Sequence, residues 1–260
     1  MENLKVSIIQ TAIHWEDVDA NLAAYTQKIE PLNEQTDIVV LPEMFASGFT
    51  MQGKEKIAQR YDDIKRWMQN TAKTNNLAIM GSTIYTEEGK YYNRFIIAQA
   101  DGSTDKYDKR HLFTMGEENE HFTAGTDKLL VDIKGWKIRP FVCYDLRFPV
   151  WSRNTDNYDL AIYSANWPEP RRDAWKTLLK ARAIENQAYT IGVNCVGQDG
   201  NDLKYTGDST IHNAKGQTIV QCEPGKEQTI TAELSAEDLQ KFRKNFPVLK
   251  DTDKFTITNK

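Results

Sequence analysis

Phe141-Val142-Cys143-Tyr144-Asp145-Leu146-Arg147-Phe148-Pro149 is an apolar strand that stops abruptly in polar, turn-prone residues. A thiol at such a strand-to-loop junction, with a carboxylate and a guanidinium just downstream, stands where nucleophiles are commonly found. Alone, it reads more readily as a small buried residue closing a strand, because free cysteine is among the most buried residue types. Two distant runs tip the balance.

The first is Asp37-Ile38-Val39-Val40-Leu41-Pro42-Glu43, an unbroken apolar run that predicts a fully buried strand ending in a carboxylate. The second is Tyr107-Asp108-Lys109-Arg110-His111-Leu112-Phe113, four ionisable side chains closed by an apolar pair. In isolation the latter is a solvated charged loop. Together the three runs supply a thiol, a carboxylate and an ammonium, the parts for acyl transfer through a covalent intermediate.

These runs resemble the Glu, Lys and Cys motifs of the nitrilase superfamily of carbon-nitrogen hydrolases, and the likeness extends from the first strand past residue 240. Within that family, Ala165-Asn166-Trp167-Pro168-Glu169-Pro170-Arg171 and Ala181-Arg182-Ala183-Ile184-Glu185-Asn186-Gln187 resemble the omega-amidase branch. The resemblance implies an α/β fold, a four-layer α-β-β-α sandwich, over residues 1–260 as one domain. It also implies a homodimer or larger homo-oligomer, and hydrolysis of the terminal amide of small 2-oxo acid monoamides such as 2-oxoglutaramate and 2-oxosuccinamate. Hydrolysis of N-carbamoyl compounds or other aliphatic amides is the alternative within the family.

Composition agrees with this class. The 260 residues suffice for one large α/β core, and a net charge of -4 with interspersed signs argues against nucleic acid or anionic membranes as partners. No apolar stretch approaches the roughly 18 residues of a membrane span, and residues 1–5 lack a signal-peptide pattern, so a cytoplasmic protein is expected. Cys143, Cys195 and Cys222 are odd in number and have no CxxC spacing, which disfavours a disulfide framework or a cysteine-based zinc site. There is no phosphate loop, dinucleotide turn or HExxH, so neither cofactor nor metal is implied.

Strands are predicted at 6–10, 38–41, 77–85, 92–98, 129–133, 137–142, 160–164, 190–196, 208–212, 218–221 and 229–233. Helices are predicted over 21–30 with Asp19 as cap, over 57–68, over 173–189, and after a capping box opened by Ser235. The first two should cover one sheet face. Pro140 removes a ladder donor from its strand, which predicts an edge position or a bulge.

For the chemistry, Cys143 would attack the amide and Glu43 would carry its proton to the departing ammonia, then activate water. Lys109 would raise the thiolate fraction and hold the oxyanion together with the Tyr144 backbone N–H. Glu118, seven residues before Gly125, matches the position of the family's second glutamate, with Glu117 and Glu120 close enough to be confused with it. A substrate carboxylate calls for a bidentate cation. Arg171 is the first candidate, with Trp167 as an apolar wall; Arg147 is the second, although a structural ion pair is its expected role, and Arg172 reads as solvated. Arg182 falls on the apolar stripe of its helix and needs a partner, which Glu185 can supply. Two further readings are a Cys-His hydrolase using His111 or His121, and an interaction protein that keeps the fold without chemistry.

Overall fold

The computed structural model describes residues 1–33 and 35–258. Along the chain the strands are β1 (Leu4–Gln10), β2 (Ile38–Val40), β3 (Ala78–Glu87), β4 (Lys90–Ala98), β5 (Thr104–Asp108), β6 (Val131–Ile133), β7 (Trp136–Val142), β8 (Leu160–Ala165), β9 (Tyr189–Asn194), β10 (Val196–Gln198), β11 (Lys204–Thr206), β12 (Thr210–His212), β13 (Thr218–Gln221) and β14 (Gln228–Leu234). The helices are α1 (Val18–Ile29), α2 (Lys54–Ala58), α3 (Tyr61–Asn75), α4 (Glu118–His121), α5 (Pro149–Ser152), α6 (Arg172–Asn186) and α7 (Ala236–Asn245).

Two six-stranded sheets run in the orders β14-β1-β2-β3-β4-β5 and β13-β12-β9-β8-β7-β6. Each has a parallel centre, β1-β2-β3 in one and β7-β8-β9 in the other, flanked by antiparallel strands. The period-two side-chain alternation of a strand explains how the first sheet buries both faces. Ile38, Val40, Ala78, Met80, Phe95 and Ile97 join the core shared with Phe141, Ile162 and Val193 of the second sheet. Their neighbours Val39, Leu41, Ile79, Ile96 and Ala98 face Tyr25 and Ile29 of α1 and Ile64 and Met68 of α3. Helix α6 packs on β9 and β12 of the second sheet. Helices, sheet, sheet and helices thus form the expected layers.

Several local expectations change. The cap of α1 is Asp17, whose side chain accepts from the Ala20 N–H, rather than Asp19, which pairs with Arg60 instead. The 57–68 helix is two helices, α2 and α3, interrupted at residues 59–60. The strand expected over 190–196 is divided: β9 stays in the second sheet, while β10 forms a separate hairpin with β11. Strand β7 is not an edge strand, but β6 ends opposite Ile138, so Pro140 has a ladder neighbour only in β8. Ser235 does cap α7, accepting from the Asp238 N–H. No helix among the described residues is long and apolar enough to cross a membrane.

Candidate active site

The carboxyl ends of parallel strands are where open α/β sheets place ligands. Here β2 leads to Glu43, β7 to Cys143 and β8 to Asn166, while β5 leads directly to Lys109. Ser164 Oγ donates to the Leu41 carbonyl at 2.7 Å, lacing the ends of the two sheets together. Glu43, Lys109 and Glu118 are buried, at 0%, 1% and 0% exposure, which for charged groups demands tight pairing.

That pairing is present. Lys109 Nζ donates to Glu43 Oε1 at 2.8 Å and to both oxygens of Glu118 at 2.9 Å. Asn93 Nδ2 bridges the two carboxylates, at 2.8 Å from Glu43 Oε1 and 3.2 Å from Glu118 Oε1. Glu118 also accepts the Phe113 N–H at 2.6 Å, whereas neither Glu117 nor Glu120 bonds Lys109 among the described residues. Gly125 N–H donates to the Lys109 carbonyl, and a Cβ on Gly125 would stand 2.1 Å from the Asp108 carbonyl oxygen. Only glycine fits that approach.

Cys143 begins the 3₁₀ turn Cys143–Arg147 with φ of 44°, a left-handed conformation that costs a non-glycine residue about 1–2 kcal/mol. Asp145, fully buried, holds the turn. Its Oδ2 accepts Val142 N–H at 3.0 Å and Tyr107 O–H at 2.7 Å, and its Oδ1 lies 3.0 Å from His111 N and 2.7 Å from His111 Nδ1. Arg182, itself buried, supports the same turn by donating to the Leu146 carbonyl at 2.6 Å and pairs at 2.9 Å with Glu185, whose side chain is partly exposed. The Tyr144 N–H falls in the first turn of the helical segment, where backbone donors lack partners within the turn.

Burial and then the neighbouring Glu43 carboxylate push the Cys143 thiol well up, and this outweighs the opposing pull of Lys109. Cys143 Sγ itself lies 3.9 Å from the Asn166 carbonyl oxygen. Burial would deprotonate Lys109, but Glu118 and Glu43 reverse it and keep the ammonium charged. Burial raises Glu118 against the pull of Lys109.

Above Cys143 opens a cavity of about 130 Å³ lined by Phe49, Met51, Phe113, Tyr144, Arg147, Trp167, Pro168, Arg171 and, from the β10-β11 hairpin, Asp199, Asn201, Leu203 and Tyr205. Arg147 stacks 4.9 Å above the Trp167 ring and Arg171 lies 4.9 Å from the Phe113 ring. Neither guanidinium meets a carboxylate among the described residues, so the ion pair expected of Arg147 does not form. Arg172, expected to be solvated, instead pairs bidentately with the buried Asp208 at 2.7 and 3.1 Å. His111 stacks on Phe148 with ring centroids 3.7 Å apart, and His121 Nδ1 lies 3.5 Å from Lys54 Nζ. Both imidazoles are thus engaged away from the thiol, against a Cys-His arrangement. Sequence reading missed Asn93, Asp145 as organiser, Asn166 and the hairpin; of these only Asp145 carried a local signal, being adjacent to the nucleophile motif. No cluster of three or more potential metal ligands occurs among the described residues.

Comparison with known proteins agrees with this geometry. A family model described as carbon-nitrogen hydrolase matches residues 5–244. The chain is 46% identical over 257 residues to the omega-amidase YafV of Yersinia enterocolitica, covering 99% of this chain and 100% of that protein. It is 32% identical over 255 residues to the 2-oxoglutaramate amidase of Bacillus subtilis, covering 96% and 97%. The crystal structure of XC1258 from Xanthomonas campestris, described as a CN-hydrolase superfamily protein with an arsenic adduct in the active site, superposes with a TM-score of 0.97 at 41% identity, covering 99% of this chain and 100% of that one. With its motif order, its two packed sheets and a match spanning residues 5–244, the chain belongs to the carbon-nitrogen hydrolase family.

Proposed function

We propose that the protein is an omega-amidase that hydrolyses the terminal amide of small 2-oxo acid monoamides, with Cys143 as nucleophile and Glu43 and Lys109 completing the triad. The observation that carries this reading is a buried thiol, carboxylate and ammonium at the floor of a cleft whose walls hold two guanidinium groups with no carboxylate partner among the described residues. The names of the relatives from Yersinia and Bacillus point the same way.

An amide resists attack because its carbonyl is a poor electrophile and its nitrogen a poor leaving group. The sulfur adds to the carbonyl carbon as its proton passes to Glu43, and the carbonyl electron pair moves onto oxygen. Lys109 turns one of its two bonds with Glu118 toward that oxyanion, and the Tyr144 N–H is the second donor. Collapse of the adduct breaks the C–N bond, Glu43 returns the proton to nitrogen, and ammonia leaves a thioester on Cys143. Water, deprotonated by Glu43, then attacks the thioester; the acid departs and the thiol regains its proton. Glu118 keeps Lys109 charged and aimed throughout.

At the far end, Arg171 or Arg147 receives the substrate carboxylate, and Trp167 provides an apolar wall for the short carbon chain. An uncharged aliphatic amide would leave both guanidiniums unpaired. The protein acts without a cofactor, in the cytoplasm, as a homodimer or larger homo-oligomer. The test offers 2-oxoglutaramate, 2-oxosuccinamate, an N-carbamoyl amino acid and an uncharged aliphatic amide, and measures ammonia. Release from the first two, with an acyl adduct mapped to Cys143 in the wild type, is expected; an adduct on Cys195 or Cys222 would overturn the assignment.

A further inference from the structure

Asn166 grips Glu43 at two points. Its backbone N–H donates to Glu43 Oε2 at 2.9 Å, and its side-chain Nδ2 donates to the Glu43 carbonyl at 2.6 Å. The opposite end of the same amide, Oδ1, lies 2.9 Å from Cys195 Sγ, and the Asn166 carbonyl stands 3.9 Å from Cys143 Sγ. Asn166 and Cys195 are 7% and 3% exposed, so water does not compete for these bonds.

Counting lone pairs identifies the base atom. A carboxylate oxygen accepts about two hydrogen bonds. Glu43 Oε1 is filled by Lys109 and Asn93, whereas Oε2 accepts only the Asn166 N–H among the described residues and has one position left for the thiol proton. The direction of that position depends on how the Glu43 loop is held, and Asn166 holds it. An asparagine amide can turn over end for end, which here would set Oδ1 against the Glu43 carbonyl, acceptor facing acceptor. A donor on the Oδ1 side prevents that turn, and the only side chain bonded there among the described residues is Cys195. Burial keeps this thiol protonated and therefore a donor.

We infer that Cys195 is a positioning residue: its S–H locks the Asn166 amide, which fixes the Glu43 loop with Oε2 turned toward Cys143. This rests on the role proposed above for Glu43. Cys195 itself touches no substrate, and the cavity over Cys143 is not lined by it.

The experiment compares wild type, Cys195→Ala and Cys195→Ser by two readouts. One is kcat and KM for ammonia release from 2-oxoglutaramate across pH. The other is the rate of alkylation of Cys143 by iodoacetamide, mapped by mass spectrometry, in which sulfur displaces iodide as its proton leaves for Glu43. Cys195→Ala is expected to lower kcat and the alkylation rate by about three- to tenfold, the scale of one ordinary hydrogen bond, with KM unchanged. Cys195→Ser, which restores a donor, is expected to recover both. Should the alanine variant melt early, Cys195→Val fills the space without a donor and takes its place. Equal rates in the serine and donor-free variants, or a donor-free variant that matches wild type, would overturn the inference. If wild type releases no ammonia, the amidase reading falls and the alkylation rates alone decide this one.

Discussion

Asp145 Oδ1 and His111 Nδ1, 2.7 Å apart, join the turn that carries the nucleophile to the loop that carries Lys109. The same carboxylate takes the Val142 N–H and the Tyr107 hydroxyl, so one buried side chain sets the distance between two loops from different sheets. Asp145→Asn turns an NH₂ group toward donors that need an acceptor. A loss of about 2–4 kcal/mol in unfolding free energy is expected from chemical denaturation, with ammonia release falling in parallel.

His111 tests the route of the proton. A general base contributes about 10²–10⁴-fold, whereas His111→Ala should reduce turnover by less than about tenfold, because this ring orients Asp145 and stacks on Phe148. A loss of three orders of magnitude without loss of fold would return the Cys-His mechanism to favour.

Substrate charge should be read by Arg147 and Arg171. Replacing either by Met is expected to lower kcat/KM for 2-oxoglutaramate by about ten- to a hundredfold, as expected for a charge-assisted hydrogen bond worth about 1.5–3 kcal/mol. Turnover of an uncharged aliphatic amide should not change. The larger effect identifies the residue that holds the carboxylate.

Removing one negative charge should move two rates in opposite directions. The Glu118 carboxylate is among the groups that push the Cys143 thiol up, so Glu118→Gln is expected to speed alkylation of Cys143 near neutral pH. Amide turnover should nonetheless drop, because Lys109 loses the partner that aims it. Lys109→Met is the harsher change. It leaves two carboxylates buried without a cation, and a destabilisation of about 3–5 kcal/mol is expected in thermal or denaturant melts.

Two buried groups outside the site define a pH window for stability. Burial, aided by Lys180, lowers His212 from 6.5 to about 4, so between those values the unfolded chain binds a proton that the folded chain refuses. Its contribution is complete above pH 6.5 and is lost as pH falls toward 4. Burial raises Cys222 from 9.0 to about 11; the unfolded chain gives up that proton first, so this contribution is complete below pH 9 and is lost as pH rises toward 11. Melting curves of His212→Gln and Cys222→Ala should flatten on the acid and alkaline sides respectively.

Much of the frame was legible in one dimension because its signals are local. The unbroken apolar run along 38–41 marked a strand buried on both faces, and chemically unusual residues at strand ends marked Glu43 and Cys143. Strand β5 escaped notice because Thr104, Asp105, Lys106 and Asp108 surround a single buried residue, Tyr107, as suits a sheet edge. Asn93 and Asn166 looked like ordinary polar residues, since their importance lies in partners 50 and 123 positions away. Arg147 was read as an ion-pair former from its place after Cys143 in the family resemblance, while its actual companion is the face of Trp167.

The two sheets contribute unequally to the site: carboxylate and ammonium belong to loops of one, sulfur to a loop of the other. A newly made or half-unravelled chain therefore carries an unremarkable thiol, and chemical competence arrives in a single step when the halves clasp. Partial denaturation should yield a mixture of fully active and wholly inert molecules, with no population of weakened enzyme between them.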